Sequence, residues 1–237
     1  MQSPYFYEPS VASANAIITL GEETSRHCVQ VLRMKAGDRL HLINGKGSRF
    51  TALIVNADKR MCSVRIEEVA YQKQEGRKVC IAISPLKNVS RFEWFLEKAV
   101  EMGVQEIVPL VCARTEKQHV KMERLQSIVV SAMIQSRQVW LPLLRHPATF
   151  EEVITDSDSS TQKLIAHCND DTLKLLLSSM PIKNSVQMLI GPEGDFTETE
   201  IETALQKGYQ PVSLGNTRLR TETAGVVASA LLVYSHK

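Results

Sequence analysis

Val186-Gln-Met-Leu-Ile-Gly-Pro-Glu-Gly-Asp-Phe196 is an apolar run broken by Gly191-Pro192-Glu193-Gly194. Glycine and proline cannot continue a ladder, so the run reads as a buried strand ending in a turn whose backbone is uncovered. Thr197-Glu198-Thr199-Glu200 sets a threonine three residues ahead of a glutamate, the reciprocal cap that opens a helix, and Gly208 supplies its stop. A short strand, Pro211 to Leu214, meets a second glycine loop, Gly215 to Arg220, and an apolar helix rich in small residues runs from Thr221 to Tyr234. Strand and glycine turn thus recur side by side, the arrangement that opens a ligand crevice at the carboxyl ends of an open α/β sheet. Either loop alone reads equally as an ordinary strand-to-helix turn. The pair carries more, because Arg218, Arg220 and Glu222 crowd the second loop with no evident structural duty.

Towards the amino end the same texture holds back to Lys78. Val79 to Ser84 reads as a strand, and Asn88 caps a helix with Phe92, Phe95, Leu96 and Ala99 on one face, ended by Gly103. Ile107 to Val111 is the next strand, and Lys121 to Val139 has helical spacing through Leu125, Ile128, Val129 and Ala132. Lys163 to Ala166 reads as a strand and Asp171 to Leu177 as a helix. Strands alternating with helices predict a parallel sheet covered on both faces, an α/β domain over residues 78–237.

Residues 1–71 differ. Short β-rich runs, Arg39 to Ile43, Phe50 to Val55 and Cys62 to Val69, are separated by turn signals and predict a small antiparallel barrel or sandwich. Asn44-Gly45-Lys46-Gly47 lacks the ending of a phosphate loop and reads as a hairpin turn. The polar stretch 72–77 has no sustained period and is the expected linker.

A net charge of +2 does not by itself announce a nucleic-acid binder, but its distribution is uneven. Residues 1–80 hold 12 Lys and Arg against 8 Asp and Glu, and six basic residues, Arg26, Arg33, Lys35, Arg39, Lys46 and Arg49, fall within one short stretch with only Asp38 opposing them. That stretch is either a solvated face or an electrostatic footprint for phosphates. Cys28, Cys62, Cys80, Cys112 and Cys168 show neither zinc spacing nor a disulfide pattern, so no metal is expected and the thiols are expected to be reduced and buried. No signal sequence is evident, and no apolar run reaches the roughly 18 residues of a membrane span, which points to a cytoplasmic protein with no membrane role. Gly-x-Gly-x-x-Gly is missing from the 189–222 loops and no Gly-x-Ser-x-Gly occurs, so hydride transfer and serine hydrolysis lack their usual parts.

Ile190-Gly-Pro-Glu-Gly-Asp-Phe196 and Leu214-Gly-Asn-Thr-Arg-Leu-Arg-Thr-Glu-Thr-Ala224 resemble the two C-terminal motifs of the RsmE family of ribosomal RNA uridine methyltransferases, in the SPOUT, trefoil-knotted superfamily. The resemblance extends to Glu97-Lys-Ala-Val-Glu-Met-Gly-Val104, Gln135-Ser-Arg137 with Pro142, and Val31-Leu-Arg-Met-Lys-Ala-Gly-Asp38. Asp195 stands where the family usually has a second glycine, and Ile134 where a glutamate commonly precedes Gln-Ser.

This resemblance implies a SPOUT-type trefoil-knotted α/β methyltransferase domain preceded by a small PUA-like β-barrel that binds RNA through Arg26, Arg33, Lys35, Arg39 and Arg49. It implies S-adenosyl-L-methionine as cofactor, held by turns at His167, at Ile190, Gly191, Pro192 and Glu193, and at Leu214, Gly215, Asn216 and Leu219. The reaction implied is methylation of N3 of a uridine in 16S ribosomal RNA, within the small subunit or an assembly intermediate, by a homodimer. N3 of uracil carries a proton at neutral pH, so Arg220 is expected to stabilise charge on the carbonyl oxygens, with Glu222 as proton acceptor or as orienter of the arginine. A non-catalytic RNA-binding or ribosome-assembly protein that kept the fold is the other reading.

Overall fold

The computed structural model describes residues 3–156, 160–169 and 173–234. The chain forms two compact units, Met1–Glu75 with Met133–Leu141, and Gly76–Ala132 with Pro142–Lys237.

The first unit contains β1 (Tyr5–Tyr7), β2 (Ile17–Thr19), α1 (Glu22–Arg26), which widens into a π-turn over His27–Val31, then β3 (Arg39–Ile43), β4 (Ser48–Asn56) and β5 (Ser63–Tyr71). The strand order is β1-β3-β4-β5-β2, with β1 parallel to β3 and the other pairs antiparallel. β1 and β2 remain as edges, so the sheet is a half-barrel rather than a closed barrel. Alternation fixes which face is buried: Phe50, Ala52 and Ile54 of β4 pack with Val64 and Ile66 of β5 and with Leu40 and Leu42 of β3.

The turn at 44–47 joins β3 to β4 as the expected hairpin. It also holds a distant segment. Gly47 N–H donates to the carbonyl of Val139 at 2.9 Å, Leu141 N–H to that of Gly45 at 3.0 Å, and Trp140 Nε1–H to that of Gln72 at 2.8 Å. Residues 133–141 therefore belong to this unit, although in sequence they lie within the α/β stretch. Gly47 has φ +90°, and a Cβ there would lie 2.5 Å from the Trp140 ring, so only glycine permits the approach.

The second unit contains β6 (Lys78–Ile83), α2 (Val89–Met102), β7 (Glu106–Val111), most of α3 (Met122–Gln135), β8 (Leu143–Leu144), β9 (Ala148–Thr149), α4 (Phe150–Thr155), β10 (Gln162–Ala166), β11 (Leu175–Leu176), β12 (Ser185–Ile190), α5 (Glu198–Gln206), β13 (Gln210–Ser213) and α6 (Thr221–Tyr234). Its sheet runs β11-β13-β10-β12-β6-β7-β8, parallel throughout, with β9 paired to β7. Central strands β6 and β12 are buried at five of six positions each, as expected for strands covered on both faces.

Helix boundaries follow capping chemistry. The Asn88 side chain accepts from Ser90 N–H, Gly103 ends α2 at φ +95°, and the Thr197 and Glu200 capping box opens α5. Three sequence expectations are corrected. α3 stops at Gln135 rather than Val139, because Arg137 takes a left-handed φ of +57° and the chain turns away. No helix occupies the described part of Asp171 to Leu177: Leu175 and Leu176 pair with β13 and a 3₁₀ turn follows, while Asp171 lies outside the described residues. Both leucines are exposed, and Leu177, which opens the 3₁₀ turn, is buried. Cys168 is exposed, in contrast to the other four thiols.

α6 lies against α2 and β6, and at Gly225 a Cβ would come within 2.6 Å of the Phe95 ring and 2.8 Å of Ile83. The small residues of α6 thus serve close packing within the chain, and they anchor the end of α6 at which the catalytic candidates sit.

Candidate active site

Register brings the loops together. Ala166, the last residue of β10, pairs with Ile190 at the end of β12 on one side and with Val212 near the end of β13 on the other. Neighbouring strands lie about 4.8 Å apart, so the turns after these three strands open within roughly 10 Å of one another. Between them is a cavity of about 690 Å³, inside the usual range for small-molecule sites. His167, Ile190, Gly191, Pro192, Glu193, Leu214, Gly215, Asn216 and Leu219 all line it, as do Arg220 and Glu222.

Gly191 meets its surroundings tightly, since a Cβ there would be 3.1 Å from the ring of Phe196, which is itself buried in the core. Main chain therefore forms the wall at this point. His167 is buried, and neither ring nitrogen has a hydrogen-bond partner. Burial, with Lys174 assisting, lowers its pKa, and the carboxylate of Asp195 acts in the opposite direction. A neutral imidazole offers one donor and one acceptor, and two unmet positions inside a cavity are the demand a polar ligand satisfies.

Asp195 was legible only as a residue in a glycine's place. It sits at φ +62°, a conformation aspartate tolerates better than most side chains. Its Oδ2 accepts from Cys168 N–H at 2.7 Å and its Oδ1 from Phe196 N–H at 2.8 Å. The side chain thereby ties the turn after β10 to the turn after β12. Arg114 braces the same loop, donating to the carbonyl of Gly194 at 2.8 Å.

Glu222 is buried, and the cation beside it is Arg91 of α2, with Nε 3.7 Å from Oε1. The expected partnership of Glu222 with Arg220 is therefore not what forms. Among the described residues Arg220 enters no ion pair, and it is exposed at the cavity mouth. Sequence reasoning missed Arg91, for which no local signal exists: packing of α6 on α2 places it.

In the first unit the five expected RNA contacts are all exposed. Arg39 pairs in register with Leu53 and Arg49 with Ile43, which puts them at opposite ends of the hairpin. Arg26 and Arg39 are engaged by Glu22 and Glu67, each at 2.8 Å, and Arg49 donates to the Tyr5 hydroxyl oxygen at 3.4 Å. Arg33 and Lys35 enter no ion pair among the described residues.

Among the described residues no group of three His, Cys, Asp or Glu side chains is placed to hold a metal ion, and no helix is long and apolar enough to cross a membrane.

Two family models match, an RNA methyltransferase domain over residues 73–233 and an RNA methyltransferase PUA domain over residues 20–67. The ribosomal RNA small subunit methyltransferase E of Rickettsia conorii is 29% identical over 94% of this chain and 92% of its own length. The structure of the probable rRNA-methyltransferase from Porphyromonas gingivalis superposes with a TM-score of 0.88 at 41% identity, covering 95% of both chains. That of ribosomal RNA small subunit methyltransferase E from Neisseria gonorrhoeae, bound to S-adenosyl methionine, gives 0.87 at 30% identity over 97% of this chain and 96% of that one. With its PUA-like half-barrel and its α/β unit of SPOUT type, the chain belongs to the RsmE family of ribosomal RNA small-subunit methyltransferases.

Proposed function

We propose that this chain methylates N3 of a uridine in 16S ribosomal RNA, drawing the methyl group from S-adenosyl-L-methionine in the cavity between the turns after β10, β12 and β13. The observation that carries the reading is the orphaned, buried imidazole of His167 in the cavity onto which the three turns open. The residues present fit the cofactor: amide and carbonyl groups for a nucleoside, and a neutral side chain beside a cationic sulfonium. Bound there, the cofactor supplies a methyl group that needs little activation beyond alignment.

The chain's own residues act on the base. Arg220, in no ion pair among the described residues, faces the negative charge that develops on the uracil carbonyl oxygens as the N3 proton leaves. Glu222 accepts that proton, and Arg91 fixes its carboxylate at a separation beyond direct hydrogen bonding. The domain organisation that supports this is an RNA-binding part over 1–71, a linker at 72–77 and the methyltransferase part over 78–237. Arg33 and Lys35 are the basic residues of the first part best placed to meet phosphate, their side chains having no carboxylate partner among the described residues. Family membership supports a homodimer, and light scattering that gives a monomer at micromolar concentration contradicts it.

Calorimetry tests the cofactor site. Wild-type protein binds S-adenosylmethionine with measurable heat at pH 7.5, and absence of heat removes the reading. His167 ordinarily titrates near 6.5 and burial lowers this. Its neutral form, and the contribution it makes, is fully present above pH 6.5 and is lost as pH falls through the lowered value. Cofactor affinity is therefore level from pH 8 to 7 and weakens as pH falls through the lowered value, and His167→Asn flattens the profile. An unchanged profile in the variant contradicts the assignment of His167.

A further inference from the structure

A second cavity, of about 550 Å³, lies in the same unit. Its floor is apolar: Leu86, Phe92 and Leu125 reach it with almost no other exposure, and Val89, 43% exposed, forms part of the wall. Its charged rim holds Lys117, Lys121, Arg124 and Glu93. Arg124 is matched to Glu93 by two contacts of 3.0 Å. Lys117 and Lys121 are exposed and enter no ion pair among the described residues, so the rim is net positive.

The first turns of α2 form a wall shared with the cofactor cavity. Arg91 lines that cavity and stands beside Glu222, whereas Val89, Phe92 and Glu93 line this one. The two cavities thus flank the first turns of one helix.

We infer that this groove holds the single-stranded RNA next to the methylated uridine, a base face on the apolar floor and backbone phosphates at Lys117 and Lys121. A base whose N3 is to react must be unpaired or extruded, so its neighbours lose stacking and pairing too and need cover. An apolar floor under an ammonium rim matches a nucleotide, which has a flat apolar face and an anionic link. The inference rests on the proposed position of the acceptor base beside Arg91 and Arg220.

The test uses the full chain, with unmodified small-subunit ribosomal RNA as methyl acceptor and a labelled single-stranded oligoribonucleotide for binding. Lys117→Ala with Lys121→Ala raises KM for RNA roughly tenfold and reduces the slope of log affinity against log salt by about 1.4, the value for two contacts on a single strand. kcat at saturating RNA and the Kd for S-adenosylmethionine do not change, and Lys117→Arg with Lys121→Arg restores KM. Val89→Asp, at an exposed position, raises KM for RNA without lowering the thermal midpoint. RNA KM and salt slope unchanged in both variants overturn the inference. So does a Val89→Asp protein whose self-association changes while its RNA KM does not, since the groove is then a protein contact. Loss of wild-type cofactor binding contradicts the proposed function instead, and is read separately by calorimetry.

Discussion

Arg220→Ala lowers methyl transfer to uridine by about 10²- to 10³-fold while cofactor affinity stays within about twofold. The size follows from what the residue faces. Removing one preorganised group aimed at developing oxyanion charge costs about 3–4 kcal/mol in comparable sites, because water cannot reorganise in time to replace it. Arg220 is suited to this because no carboxylate among the described residues pairs with it: Glu222, its nearest expected partner in sequence, stands beside Arg91 instead. Arg220→Lys recovers only part of the rate, since a point charge does not span two carbonyl oxygens as a planar fork does. Single-turnover methylation with RNA in excess separates this from weaker RNA binding. Unchanged turnover in Arg220→Ala removes the residue from the mechanism, and an equal loss of cofactor affinity makes it a wall of the cavity instead.

Asp195→Gly weakens S-adenosylmethionine binding about tenfold or more and also lowers stability. Two hydrogen bonds to a charged acceptor, from Cys168 and Phe196, are lost, each worth about 1.5–3 kcal/mol where it orders the turn. Glycine, however, relieves a left-handed residue at φ +62°, which costs a non-glycine side chain about 1 kcal/mol. That relief offsets only part of the loss, and affinity measured on fully folded protein separates the link between the turns from simple destabilisation. Asp195→Asn keeps the backbone conformation and one acceptor oxygen, and falls between the two. Calorimetry and thermal unfolding on the same three proteins decide the matter. Equal cofactor affinity in all three shows that the link between the turns is dispensable.

Much of the site was legible because it is local. Gly191-Pro192 must end a strand, Thr197 with Glu200 must open a helix, and a repeat of the pattern at 211–221 predicts a shared edge; the register at Ala166 then supplies the actual adjacency. What sequence could not supply is long-range. Arg91 reaches Glu222 only because Gly225 lets α6 approach α2, and nothing near Arg91 announces it. Trp140 docks on Gly47 over a separation that no periodicity bridges. The basic stretch 26–49 was a pattern in one dimension; hairpin pairing separates Arg39 from Arg49, and Glu22 and Glu67 offset two of its charges. α4 was overlooked although Thr149 and Glu152 form a capping box like that of α5, a signal present in the sequence. Leu173 to Leu177 misled in the other direction, since leucines that favour a helix pair instead with the free edge of β13.

The most direct measurement is a crystal structure of this chain with S-adenosylmethionine. The account places the ligand between the turns at 167–168, 190–195 and 214–219, with His167 hydrogen-bonded to it and its methyl group directed to the side on which Arg220 and Glu222 stand. Ligand bound elsewhere, or a methyl group directed away from Arg220 with His167 still unpartnered, contradicts it.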